Sequence, residues 1–207
     1  MSYFYEPVVH LSTGNIESYE VLYRGVQRDS LLMGRTNTSL DYKIFCDALA
    51  TTSVSQHNGS NLSFNIFPAT FNKYFYDIHD LLSEKPFTFF EIIFDDSIDH
   101  LNIRLASKIN QNIILDNYNP LIAKHIEIAE QIQPYGIKVD RDCLPKQYDI
   151  IQHLVGIGCE NTRAILKKIE NSEELCKATN NGFLYGQGYL LTDAKDVKHM
   201  VKACRIV

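Results

Sequence analysis

Eight short runs rich in β-branched and aromatic residues punctuate the chain, at residues 3–9, 18–24, 61–67, 87–94, 112–116, 135–140, 163–169 and 183–191. Runs of this length and composition read as buried strands. Amphipathic stretches long enough for helices lie between most of them, at 38–56, 68–82, 97–110, 119–133, 144–156, 171–180 and 193–203. This alternation predicts an α/β protein with a mostly parallel sheet. The first two runs are joined by "STGN", which reads as a turn, so the first strand is expected antiparallel to the second. One hairpin, six strand–helix repeats and a last helix predict a modified (β/α)8, TIM-like barrel, near the short end for that fold at 207 residues. An open doubly wound sheet is the alternative.

Several helical stretches carry start signals. Pro68 follows Phe67, Ser97 and Asp193 can cap, and "NSEEL" sets a capping residue before two acids in a first turn. Within 71–82, Phe71, Tyr74, Phe75, Ile78 and Leu82 form one helical stripe expected to pack on the core, with Tyr76 off it and available to an exposed patch. No Pro-, Gly- or Ser-rich linker interrupts the chain, so residues 1–207 are expected to form one domain.

Composition narrows the function. A net charge of -5 argues against a general DNA or RNA binder, whose phosphate affinity needs clustered Lys and Arg. The five cysteines are widely spaced and make no C-x-x-C, so reduced thiols are expected, with neither a disulfide framework nor a zinc site. The opening "MSYFYEPVVH" lacks the basic start and apolar core of an export signal, and no run approaches the roughly 20 apolar residues of a spanning helix. The expected location is cytoplasmic. None of the seven histidines falls in H-E-x-x-H, and neither a G-x-S-x-G elbow nor a Walker-type loop is present.

Polar residues stand isolated inside the apolar runs, toward their C-terminal halves: Glu20, Asn65, Glu91, Asp116, Lys138, Lys167 and Gln187. In a barrel that end of each strand faces the site. Three carboxylates and one amide carbonyl are hard oxygen donors, a set that suits Mg²⁺, Mn²⁺ or Ca²⁺. One such residue alone reads as solvated or locally paired. Seven at matching depth read as a site.

The order of the motifs resembles the EAL domain, a bacterial phosphodiesterase family that opens cyclic di-GMP on a modified (β/α)8 barrel. "FYEPVVHLSTGNIESYEVLYRG" is similar to its opening hairpin, where "EALLR" corresponds to "EVLYR" here. "LSFNIFPATF", "FFEIIFDDSI", "IILDNYN", "IKVDRDCL", "KKIENSEEL" and "GQGYLL" follow in family order across nearly the whole chain. The resemblance implies metal ligands at Glu20, Asn65, Glu91 and Asp116, a water-orienting or activating lysine at Lys138, a substrate-phosphate contact at Arg24 and a site glutamine at Gln187. Asp140 completes the "KVD" piece. In the family, two metal ions polarise the attacking water.

Four departures fall in the chemistry. The second aspartate of "DDFG" is Asn117, and the glycine-rich loop after it is "YNPL", stiffened by Pro120. The second glutamate of "EITE" is Phe94, and the first glutamate of "AEGVE" is Lys167, or Lys168 if the alignment slips by one. Lys167 is expected to pair with Asp116, Glu91 or Glu20 and to neutralise the acids without Lewis acidity. The expectation is a degenerate EAL-type domain with no cofactor, working as a regulatory binding protein through a bacterial protein partner or cyclic di-GMP, with a homodimer possible by inheritance. The alternative is an active phosphodiesterase using Mg²⁺ or Mn²⁺ and yielding pGpG.

Overall fold

The computed structural model describes residues 2–24, 37–52, 61–94, 98–145 and 148–192. Eight strands close into a barrel in chain order: β1 (Ser2–His10), β2 (Ile16–Arg24), β3 (Leu62–Ile66), β4 (Thr88–Ile93), β5 (Ile113–Tyr118), β6 (Gly136–Asp140), β7 (Arg163–Lys167) and β8 (Tyr185–Gly186). β1 runs antiparallel to both β2 and β8, and every other neighbouring pair is parallel. The expected barrel, with its first strand antiparallel, is therefore the observed one, and the open sheet is set aside. The hairpin turns where Gly14 adopts φ 74°.

Helices cover the outside: α1 (Thr38–Thr52), α2 (Pro68–Lys73), α3 (Phe75–Glu84), α4 (Ile103–Ala106), α5 (Ala123–Ile132), α6 (Ile150–Gly156) and α7 (Ser172–Asn180). Pro68 opens α2, where a missing N–H is harmless. The Asn171 side chain caps α7 by accepting from Glu174 N–H at 3.0 Å. Ser97, Asp193 and the stretch 193–203 lie outside the described residues.

The expected helix 68–82 is two helices, because Tyr74 leaves helical geometry at φ -107°, ψ 18°. Phe71, Phe75 and Ile78 still reach the core, while Tyr76 is 71% exposed. The expected helix 97–110 is mostly 3₁₀: turns at Ile98–His100 and Ser107–Asn112 flank the single turn of α4. Its β-branched isoleucines and its asparagines compete with regular helix, and the Asn102 side chain caps Leu105 N–H instead of continuing one. The expected strand 183–191 contracts to Tyr185–Gly186, followed by a 3₁₀ turn at Tyr189–Leu191. Gly188, at φ 150°, brings that turn so close to Ile169 that a Cβ there would lie 2.3 Å from its backbone nitrogen.

The core packs isoleucine, leucine and phenylalanine from the strands against the inner faces of the helices. At the barrel's N-terminal end, Tyr135 donates to Glu17 at 2.9 Å, and the Arg163 guanidinium lies 4.1 Å over the Tyr135 ring. Cys46, Cys143 and Cys159 are free. Cys176 is disulfide-bonded, which corrects the expectation that all five thiols are reduced. Pairing depends on how the fold brings sulfurs together and not on spacing along the chain. Among the described residues no helix is long and apolar enough to cross a membrane.

Candidate functional site

A parallel strand delivers its C-terminal residues to one end of the barrel, and period-two alternation decides which of them point inward. Glu20, Ser63 and Asn65, Glu91, Asp116, Lys138, Lys167 and Gln187 converge there from successive strands or the residues just past them. Asn65 stands beside Glu91 in the β3–β4 register, and Glu6 faces Glu20 across the hairpin.

The centre of the cluster is Lys138, whose side chain is 0% exposed. Its ammonium lies 2.6 Å from Glu20 Oε2 and 2.6 Å from Glu91 Oε1. Glu20 also accepts from Asn65 Nδ2 at 2.6 Å and from Gln187 Nε2 at 2.6 Å. So close an approach to a carboxylate oxygen requires the amide nitrogen of Asn65, and not its carbonyl oxygen, to face Glu20. Ser63 donates to Glu91 Oε1 at 2.5 Å, while Glu91 Oε2 and Gln187 Oε1 are buried without a hydrogen-bond partner.

Lys167 forms the second part. Its ammonium donates to Asp116 Oδ1 at 2.6 Å and to Asn117 Oδ1 at 2.5 Å. Asn117 can present that oxygen because its backbone sits in the left-handed region at φ 58°, a conformation asparagine tolerates better than most residues. Lys168 points elsewhere and pairs with Asp140, so of the two lysines it is Lys167 that stands beside Asp116.

Charges here are strongly coupled. Burial alone would raise the Glu20 carboxyl, but the Lys138 charge and the hydrogen bonds from Lys138, Gln187 and Asn65 reverse this and hold it at about 2. Burial, followed by the Glu20 charge, pushes Glu91 up to about 8 against the pull of Lys138. Burial opposes the Lys138 charge, yet Glu20, Glu91 and Asp116 raise its pKa above the ordinary lysine value. Burial, then Glu20, also raises Glu6. With Glu91 neutral near pH 7, the ammonium groups of Lys138 and Lys167 balance the carboxylates of Glu20 and Asp116.

Both oxygens of Glu20, Oε1 of Glu91 and Oδ1 of Asp116 are thus engaged by ammonium, hydroxyl or amide donors, while Glu91 Oε2 has no partner. Among the described residues no group of three or more His, Cys, Asp or Glu side chains is arranged to hold a metal ion. The residues present do not fit a two-metal centre. A protonated lysine with a raised pKa also has no lone pair with which to take a proton from water.

Phe94 is buried and stacks on His125, ring centroids 4.2 Å apart and 12° from parallel. Arg24 ends β2, but its side chain lies outside the described residues. Two members of the cluster escaped sequence reasoning. Ser63 lies two residues before Asn65 and therefore on the same face, and Glu6 is an acid in an apolar run, the very feature that singles out Glu20.

No family model matches this sequence, and no curated protein does. Solved structures do match its fold. The Bacillus subtilis YkuI protein, which has an EAL domain and was solved with substrate c-di-GMP and calcium, is similar with a TM-score of 0.73 at 17% identity, over 99% of this chain and 60% of that one. An EAL domain protein from Listeria monocytogenes matches with a TM-score of 0.68 at 19% identity, over 99% of this chain and 92% of that one. The Xanthomonas citri FimX EAL domain, solved with c-di-GMP, matches with a TM-score of 0.67 at 15% identity, over 90% of this chain and 85% of that one. This chain spans about 60% of the length of YkuI. Its closed barrel, with the first strand antiparallel, is the fold of the EAL domain.

Proposed function

We propose that residues 1–207 form one degenerate EAL-type domain that does not hydrolyse cyclic di-GMP and serves as a regulatory binding protein for a bacterial protein partner. The observation that supports this most directly is the Lys167 ammonium held between Asp116 and Asn117. A unit charge about 4 Å from a divalent ion's position opposes each of its charges by about 4 kcal/mol at an effective dielectric near 20. Lys167 supplies the positive charge that Asp116 requires and supplies no Lewis acid. Lys138, protonated, does the same for Glu20 and also donates to Glu91.

Cyclic di-GMP itself, bound without turnover, is the nearest alternative ligand, since YkuI and the FimX EAL domain were solved with it. A protein partner is preferred because the resemblance implies nucleotide contacts at Gln187 and Arg24, and Gln187 Nε2 is already turned toward Glu20.

A second reading rests on Glu91 Oε2, a buried acceptor without a donor. It makes the chain a slow phosphodiesterase in which Glu20, Asn65, Glu91 and Asp116 gather one Mg²⁺ or Mn²⁺ and Lys138 positions water. Incubation with cyclic di-GMP and either metal decides between the two. No pGpG is expected, and pGpG formation that Glu20→Ala abolishes overturns the proposal. Calorimetry with cyclic di-GMP and Ca²⁺ separates the binding modes: no heat up to high micromolar nucleotide leaves the protein partner.

A further inference from the structure

The segment that leaves the barrel mouth after β5 is tied at both ends. At one end Lys167 holds Asn117. At the other, Asn119 organises a turn in which its side-chain oxygen accepts from Leu121 N–H at 2.9 Å and its carbonyl accepts from Ile122 N–H at 3.1 Å. Ile122 is the N-cap of α5 and has no side-chain oxygen with which to cap it. His125, at the third position of that helix, reaches back instead, and its Nδ1 accepts the Asn119 backbone N–H at 2.9 Å. A Glu or Gln at the same position of a capping box reaches back to the N–H of the N-cap residue; His125 reaches three residues further, to Asn119. Here the acceptor is a group that titrates near neutrality.

We propose that His125 is a proton-operated latch on residues 119–122: the neutral imidazole closes it by accepting the Asn119 N–H, and the imidazolium opens it. A ring nitrogen accepts only when it carries no proton, so the neutral ring must hold its hydrogen on Nε2. Protonation puts an N–H on Nδ1, donor against donor, and places a cation at a helix N-terminus, where the macrodipole disfavours it. The ring is half-buried against Phe94, and burial lowers its pKa, so the latch is closed at neutral pH and opens in acid.

The groups around His125 leave this direction intact. Just past the end of β4 it meets uncharged Phe94, and from β5 it meets Tyr118, with ring centroids 6.1 Å apart. Behind Tyr118 stand His153 of α6, whose Nε2 is 2.8 Å from the Tyr118 hydroxyl, and Tyr148. On its own helix, Lys124 is exposed and paired with Glu127. His153 is the internal contrast, because a hydroxyl can accept as well as donate and its bond survives protonation of the ring. What the latch controls is the segment that displays Leu121 and Ile122, which are 64% and 42% exposed. The inference concerns this segment whatever the barrel binds.

The test is an NMR titration of the whole chain. Imidazole ¹⁵N shifts should show His125 with its hydrogen on Nε2 at neutral pH and a titration midpoint below that of free histidine. The Asn119 amide shift should follow the same midpoint. Its hydrogen exchange, corrected for the intrinsic pH dependence, should accelerate about fivefold or more below that midpoint, as the loss of one ordinary hydrogen bond requires. His125→Phe keeps the stack on Phe94 and should leave Asn119 fast-exchanging and insensitive to the midpoint, while His153→Phe should preserve the wild-type profile. An Asn119 amide equally protected on both sides of the His125 titration, readable in the wild type even if a variant misfolds, overturns the proposal.

Discussion

Lys167, the last residue of β7, reaches across β6 to hold Asp116 of β5 at 2.6 Å. Two strands not adjacent in the sheet are thereby joined at the barrel mouth by a charge-assisted hydrogen bond, and the same nitrogen fixes Asn117. A cation bound covalently to the chain does not depend on the metal concentration around it.

Reversing that charge should restore the demand for a free ion. Lys167→Glu puts a third carboxyl beside Asp116 and Glu20, and without metal it should lower the melting temperature by like-charge repulsion. Added Mn²⁺ or Ca²⁺ at about one hundred times its dissociation constant should then return about 2.7 kcal/mol, roughly 5 to 10 °C for a chain of this size. The wild type should show no such rise in a thermal scan with and without metal. An equal rise in the wild type means that Lys167 does not exclude the ion.

Lys138 is the only cation in contact with both Glu20 and Glu91 among the described residues. Lys138→Met keeps the length of the side chain and removes the charge, leaving the buried Glu20 carboxylate without its cation, a change that typically costs about 3–5 kcal/mol. At pH 7 the melting temperature should fall by roughly 10 °C. Adding Glu20→Gln to the same variant should recover most of the loss, because the penalty lies in the abandoned Glu20 charge. If the single variant melts with the wild type, the cluster is not the electrostatic unit described here.

The barrel was legible because both its signals are local. Buried strands such as Ile113–Tyr118 are short and apolar, and the amphipathic stretches between them have the spacing of helices. The acids were legible because a charge inside an apolar strand needs a partner, and Lys167 beside Asp116 is that argument realised. The partners themselves were less so. Ser63 lacks a charge to draw notice, and Phe94, read as a lost glutamate, gains its role from His125, which the fold alone brings against it. Between 98 and 112, side-chain hydrogen bonds from Asn72 and Asn102 override the helical pattern, and Asn72 lies in another element altogether.

Gly188 is required by contact and by conformation. A methyl there would lie 2.3 Å from Ile169 N and 2.5 Å from its carbonyl oxygen, at a φ of 150° that only glycine adopts freely. Gly188→Ala should therefore cost more than about 3 kcal/mol or prevent soluble expression. Gly156, at the end of α6, has nothing within 4 Å of an added Cβ. Gly156→Ala should be neutral or stabilise by about 0.5–1 kcal/mol. Urea midpoints of the two variants check the pair, and equal effects would show that the close approach to Ile169 is absent.

Glu20 and Glu91 should leave opposite marks on stability against pH. Each has an ordinary value of 4.5. Glu20, held at about 2 when folded, contributes stability that is present above 4.5 and lost as pH falls toward 2. Glu91, raised to about 8, contributes stability that is present below 4.5 and lost as pH rises toward 8, because only the unfolded chain ionises freely across that window. Stability should therefore peak in mildly acidic solution and decline toward pH 8 with a slope approaching about 1 kcal/mol per pH unit. Glu91→Gln keeps an acceptor for Ser63 and Lys138 and removes the proton, so it should flatten that decline. Urea unfolding at pH 5, 6.5 and 8 measures it: relative to the wild type, the variant should gain with each step upward. A difference that stays constant across the three would mean that Glu91 is ionised in the folded chain, leaving the two lysines to balance three carboxylates.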